Sequence, residues 1–142
     1  MKSTFVLAIV LAVVLGPLAA PEVMAQPKSS NPAADEHAVP VKELNEFHDA
    51  LHPLVHDSMP KGDLNAVRAK LDLLQKRAVA VQKAPIPKEF ASRSKEYDRL
   101  SAQLTKQVNE LKALKRPEDR EAFTKTFDAM HETYEELAGL VR

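Results

Sequence analysis

The fold is decided by residues 123–141, which read FTKTFDAMHETYEELAGLV. Apolar side chains recur there at alternating spacings of three and four residues: Phe123, Phe127, Met130, Tyr134, Leu137 and Val141. That spacing places them on one side of an α-helix, which has about 3.6 residues per turn. Pro117, with two acidic residues after it, is a favourable first-turn residue for this segment. The stretch therefore predicts an amphipathic helix that buries one face.

Three earlier segments, at about 41–58, 63–83 and 88–115, share this spacing. Their apolar stripes are Leu44, Phe47, Leu51, Leu54 and Val55 in the first, Leu64, Val67, Leu71, Leu74, Ala78 and Val81 in the second, and Phe90, Tyr97, Leu100, Leu104, Val108, Leu111 and Leu114 in the third. No window alternates with the period of two that a strand requires. Because the connections are short, consecutive helices must be antiparallel neighbours. We predict an all-α, up-down-up-down antiparallel four-helix bundle over residues 41–142, with Asp63 as an N-cap and a bend at Pro53.

The first 40 residues carry no such pattern. Lys2 followed by an unbroken apolar run from Phe5 to Leu15, then a break at Gly16, is typical of a signal peptide. The run is shorter than the ~20 residues that span a bilayer, so we expect cleavage near Ala25 and no stable membrane anchor. Residues 1–25 are thus assigned to a signal peptide and 26–40, rich in Pro, Ser and Asn, to a flexible leader. Export implies a periplasmic or secreted protein.

Composition excludes several classes of function. The formal net charge is +0 with acids and bases interspersed, which argues against a nucleic-acid or anionic-membrane partner. The chain has no Cys, so disulfides, thiolate metal ligands and a Cys nucleophile are absent. No Gly-rich phosphate loop and no Ser in a nucleophile elbow is found. We therefore expect a protein that is not an enzyme and assign no catalytic residues. The dense charge on the polar faces also disfavours a helical adaptor or chaperone.

Histidines carry the most specific functional signal. His48, His52 and His56 follow one another at four-residue intervals, which stacks them on one face of a helix. Imidazoles at this spacing can bind one metal ion, and they suit Zn²⁺, Cu²⁺ and Ni²⁺. His131 lies in the last helix, with Asp128 and Glu135 as further candidate ligands. His37 belongs to the leader and is expected to be exposed.

A height argument links the two groups. If the first and last helices are antiparallel, with Val41 beside Val141 and Ser58 beside Pro117, residues at the same height have numbers that sum to roughly 180. His131 then falls level with about position 49, between His48 and His52. Whether the histidine-bearing flanks face each other depends on the hand of the bundle, which the sequence does not give. We predict a transition-metal site, zinc or copper, of His48, His52, His56 and His131 that serves metal buffering, delivery or resistance. A homodimer sharing the site stays open, and so does the alternative that these histidines are solvated edge residues.

The stretch Phe127-Asp128-Ala129-Met130-His131 in the last helix of an exported bundle resembles the cytochrome b562 and cytochrome c′ group. In the c-type members a Cys-x-x-Cys-His motif attaches haem, and here Phe127 and Met130 occupy both cysteine positions, so covalent haem is excluded. The resemblance implies a ligand between the first and last helices. It gives the alternative of non-covalent haem b and electron transfer, with His131 and either His48 or Met130 on the iron. The residues that would line the haem pocket equally fit a plain core, which we favour: Phe47, Phe123, Phe127, Met130 and Tyr134.

Overall fold

The structure, a computed structural model, describes residues 38–142. Four α-helices follow one another: α1 Lys42–Pro53, α2 Leu64–Lys83, α3 Ser94–Ala113 and α4 Arg120–Leu140. Consecutive helices pack against each other, and the described residues contain no strand. The predicted all-α four-helix bundle is confirmed. Within the same residues, none of the helices combines the length and the apolarity needed to cross a bilayer.

Side-chain contacts between neighbouring helices show their antiparallel order. Near the start of α2, Arg68 bonds to the carbonyl of Leu114 beyond the end of α3. At the other end of the same pair, the hydroxyl of Tyr97 donates to the carbonyl of Val81. Between α1 and α2, Arg77 forms an ion pair with Glu46. Early residues of one helix therefore meet late residues of the next.

The core is built from the predicted stripes. Every apolar position named for the second and fourth segments is buried, as are most of those in the first and third. Val55, Phe90 and Leu114 lie partly buried at the margins of this core. Burying a large apolar side chain contributes roughly 1.5–3 kcal/mol, so the stripes supply the main driving force for the bundle.

One helix start agrees with the prediction and another differs from it. The Asp63 carboxylate accepts the N–H of Ala66 at 3.0 Å, which confirms the predicted N-cap of α2. The third segment begins as a 3₁₀-helix, Lys88–Arg93, and becomes α-helical only at Ser94. Its first turn tightens through a bond from the N–H of Phe90 to the carbonyl of Pro87, as is common at helix N-termini.

Pro53 changes the path of the first helix. It has no N–H to donate to Asp49, and the chain continues from it as a π-helical turn, Leu54–Ser58. That turn closes with a bond from the N–H of Met59 to the carbonyl of Leu54 at 2.9 Å, five residues back. The predicted bend is therefore a local widening of the helix. His56 lies in this wider turn.

The predicted signal peptide and most of the predicted leader, with His37, lie outside the described residues. Of the leader, Val39 is buried, and its N–H and carbonyl both bond to the side-chain amide of Asn45, at 2.9 and 2.8 Å. The packed part of the chain thus begins two residues before the predicted boundary at 41. An apolar side chain with both of its backbone groups satisfied gains from joining the core.

Candidate metal site

His48, His52 and His56 form a continuous ladder of rings along α1 and its π-helical extension. The ring centroids of His48 and His52 lie 5.3 Å apart, and those of His52 and His56 lie 4.3 Å apart. His48 is half-buried, whereas His52 and His56 are exposed. A helix advances about 100° per residue, so residues four apart turn by about 40° at each step, which accounts for this order. We call these three residues the histidine ladder.

The spacing of the rings is compatible with two neighbouring imidazoles binding one ion. A ring nitrogen binds Zn²⁺ or Cu²⁺ at about 2.0–2.1 Å, which puts the ring centroid roughly 3.2 Å from the metal. Two such rings have centroids about 5 Å apart at a tetrahedral angle and about 4.5 Å apart at a right angle. The two neighbouring pairs of the ladder lie close to these values, and His52 belongs to both pairs.

The buried end of the ladder is anchored on α4. The ring of Tyr134 stacks on the ring of His48, with centroids 5.4 Å apart. It also stacks on the ring of Phe47, with centroids 5.8 Å apart. These contacts show which residues of α1 and α4 lie at the same height. The observed pairing agrees with the predicted one to within one helical turn. Tyr134 therefore fixes the position of the innermost ring. Sequence reasoning assigned Tyr134 to the core stripe and did not identify it as the partner of His48.

Burial also shapes the chemistry of Tyr134. Its hydroxyl is buried and has no hydrogen-bond partner among residues 38–142. Desolvation, with smaller contributions from the Glu135 and Asp49 carboxylates, raises the pKa of Tyr134 to about 12. The phenol is therefore neutral at physiological pH, and it contacts the ladder as an uncharged aromatic ring.

His131 lies in a different environment from the residues of the histidine ladder. Its Nε2 lies 3.6 Å from Oε1 of Glu135, one turn further along α4. No ring contact joins His131 to the histidine ladder in the part of the chain that the structure describes. Asp128, the other carboxylate proposed as a ligand, is exposed on α4. The predicted meeting of His131 with the ladder at one ion thus stays a prediction.

The described residues do not form a complete coordination site for a metal ion. Among residues 38–142, His, Asp and Glu side chains form no group of three or more that could hold an ion. What the structure does bring together are neighbouring pairs of imidazoles within the ladder. Such a pair supplies two ligands, and the remaining coordination positions would fall to water or a further side chain.

The residues that could enclose haem lie in the packed interior. Phe47, Phe123, Phe127, Met130 and Tyr134 are at most 2% exposed and belong to the one hydrophobic core. This is the arrangement expected of a plain core stripe. Met130, named as a potential axial ligand, is fully buried there.

No family model, curated protein or solved structure matches this chain. What the structure shows of the expected likeness to the cytochrome b562 and cytochrome c′ group is an all-α bundle of four helices, and no family is identified. The candidate site has to be argued from its own geometry.

Proposed function

We propose that this protein is exported and binds a divalent transition metal through neighbouring imidazoles of the histidine ladder. The observation that carries the proposal is the pair of ring spacings, 5.3 and 4.3 Å, at values that suit two imidazoles on one ion. His52 is the shared member, so it is the principal ligand. His48 and His56 are its alternative partners.

The ladder suits exchange of the metal more than permanent retention. His52 and His56 are exposed, so a hydrated ion reaches them without any opening of the core. A site with two protein ligands leaves positions for water or for a group on another protein, as buffering or delivery requires. Asp49, exposed and three residues before His52, is a nearby carboxylate on the same helix.

The ligand set also ranks the metals. Imidazole ligands without a thiolate favour Cu²⁺, Ni²⁺ and Zn²⁺ over Cu⁺ or Mg²⁺. Among divalent ions, affinity for a nitrogen site is highest for Cu²⁺. We therefore expect Cu²⁺ to bind most tightly and Zn²⁺ more weakly, through the same ladder.

Titration calorimetry tests this assignment with single-histidine variants. Replacing His52 with alanine removes both imidazole pairs, so we expect Cu²⁺ affinity to fall by at least about tenfold, a loss typical of one removed ligand interaction. Replacing His48 or His56 leaves one pair and should cost less. His131→Ala tests whether His131 joins the ladder at the ion. If two ladder imidazoles hold the metal without it, this variant binds nearly as tightly as the parent. A larger loss in His131→Ala than in His52→Ala would move the site to α4.

A further inference from the structure

A cavity lies at the end of the bundle where α2 and α4 begin. Its volume is about 400 Å³, and its lining comes from the start of α2, the α3–α4 connection and the first residue of α4. Three cationic side chains line it: Arg68 from α2, Lys115 from the connection and Arg120 from α4. No residue of the histidine ladder lines this cavity, so it is a separate feature.

Backbone carbonyls hold the two arginines in place. Nη2 of Arg68 donates to the carbonyl of Leu114 at 3.3 Å, and the guanidinium lies 5.0 Å from the ring centre of Phe123. Nη2 of Arg120 donates to the carbonyl of Gly62, also at 3.3 Å. Each contact uses one of five N–H donors, so most of the donors remain for a ligand. Nε of Arg68 is buried with no hydrogen-bond partner among the described residues.

Nearby carboxylates offset the charge of the lining only in part. Arg116 chiefly, with a smaller contribution from Arg68, lowers the pKa of Asp119, and Lys112 chiefly, with a smaller contribution from Lys115, lowers the pKa of Asp72. Within residues 38–142, none of the three cations forms a salt bridge with a carboxylate. Arg116, next to Lys115, contrasts with them because Asp119 and Glu118 both pair with it. Asp63 is the acidic residue in the lining, and its carboxylate caps α2 by accepting the N–H of Ala66.

Gly62 makes the approach of Arg120 feasible. Its φ of +67° lies in the left-handed region, which glycine adopts without strain. A Cβ built on Gly62 would lie 2.7 Å from Nη2 of Arg120, so the guanidinium would have to move away from its present position. The glycine therefore lets the guanidinium lie across the turn before α2, where it lines the cavity.

We propose that this cavity binds a small soluble oxyanion of the phosphate class. Guanidinium groups match the geometry of phosphate oxygens, and a lysine adds a point charge. Arg68 is far in sequence from Lys115 and Arg120, so the three cations come together only in the folded bundle. The positive end of the α2 dipole adds to the same field.

A phosphate titration followed by amide NMR tests the proposal. Inorganic phosphate is added to the metal-free protein at constant ionic strength, with chloride as the balancing ion. We expect saturable shifts at the amides of Gly62, Asp63 and Lys115. Shifts that grow linearly and spread over the whole surface would overturn the proposal, as would binding only to phosphatidic-acid vesicles and not to free phosphate.

Charge-removing variants complete the test. Arg120→Gln and Lys115→Gln should each weaken phosphate binding about tenfold, as expected for loss of a charge-assisted hydrogen bond. Arg116→Gln removes the same charge beside the cavity, but Asp119 already holds that guanidinium, so its affinity should stay within about twofold. Equal weakening in all three variants would show a general charge effect and contradict a specific site.

If Arg120→Gln fails to fold, Lys115→Gln decides the test, because Lys115 is exposed. His52→Ala should bind phosphate normally, so this result is independent of the metal site.

Discussion

The ring of His48 stacks on the ring of Tyr134, with centroids 5.4 Å apart and planes inclined by 14°. This contact joins the first helix to the last at the inner end of the histidine ladder. Because Tyr134 is 1% exposed, it holds His48 from within the core, while His52 and His56 remain open to solvent. One end of the ladder is therefore fixed and the other is accessible.

Replacing Tyr134 with phenylalanine should stabilise the protein. The tyrosine hydroxyl is buried without a partner among the described residues, and such an unsatisfied group costs roughly 1–3 kcal/mol. Phenylalanine removes the hydroxyl and keeps the ring that stacks on His48. Urea unfolding should show a gain of roughly 0.5–2 kcal/mol in the free energy of unfolding.

Tyr97→Phe is the matched control for that variant. Tyr97 is equally buried, but its hydroxyl donates to the carbonyl of Val81 at 3.2 Å. Losing this bond should destabilise the protein by roughly 1 kcal/mol. Opposite signs for the two substitutions would confirm the different environments of the hydroxyls, and a loss at Tyr134 as large as that at Tyr97 would contradict them.

Alkaline pH should destabilise the protein between about pH 10 and 12. Burial raises the pKa of both Tyr97 and Tyr134 to about 12, from 10.0 in the exposed side chain. Stability from the neutral phenols is therefore complete below pH 10 and is lost as pH rises towards 12. At about pH 11 the loss should be roughly 1 kcal/mol per tyrosine.

The ultraviolet absorbance of the ionised phenol measures this ionisation directly. The chain has two tyrosines and no tryptophan, so the signal comes from these two side chains alone. The tyrosines of the protein unfolded in urea serve as the reference and should ionise at about pH 10. Ionisation of both phenols at that same pH in the folded protein would contradict their burial.

Two glycines should respond to alanine in opposite ways. Gly62→Ala forces a side chain into φ +67° and against Nη2 of Arg120, so we expect a loss of about 1 kcal/mol or more. Gly139 lies in α4 with nothing within 4 Å of an added Cβ, so Gly139→Ala should gain roughly 0.5–1 kcal/mol. Thermal unfolding measures both.

A double substitution separates the two causes at Gly62. In an Arg120→Gln background the shorter side chain can move away, so the cost of Gly62→Ala should shrink to the backbone strain alone. If the cost is unchanged in that background, Arg120 does not press on Gly62. Equal effects of alanine at Gly62 and Gly139 would contradict the left-handed conformation of the turn.

Metal binding should weaken in acid. A coordinating imidazole must be unprotonated, so protons compete with the metal. We expect Cu²⁺ and Zn²⁺ affinity to fall between about pH 7.5 and pH 5. Calorimetry at the two values in non-coordinating buffers provides the measurement, and equal affinity at both would argue for carboxylate ligands.

Much of the fold follows from the spacing of apolar residues. The stripe in residues 123–141 names six positions of α4 and its end, and all six are buried. The pattern does not reveal polar residues that enter the interior. Thr133 and Gln107 are buried between α3 and α4, where both donate to the carbonyl of Ala129. Polar side chains can do this because a carbonyl already bonded within a helix still accepts a further hydrogen bond.

The candidate site was only partly predictable. Four-residue spacing gives the order of burial from His48 to His56. Each step of four residues turns by about 40° around the helix, so the three side chains move progressively away from the core. Proline at position 53 signals a disturbance, but not whether the helix kinks or widens into the π-helical turn that holds His56. The contact between His48 and Tyr134 depends on the rotation of α1 and α4 about their axes, which requires the packed bundle.

NMR of the imidazole nitrogens of the ¹⁵N-labelled protein, with and without Zn²⁺, tests the metal proposal most directly. The chain has five histidines, so the signals of each ring can be assigned. We expect the nitrogens of His52 and at least one of its ladder neighbours to shift on binding, while those of His131 and His37 stay unchanged. Shifts confined to His131 and His37, with the ladder unaffected, would show that the ion binds elsewhere.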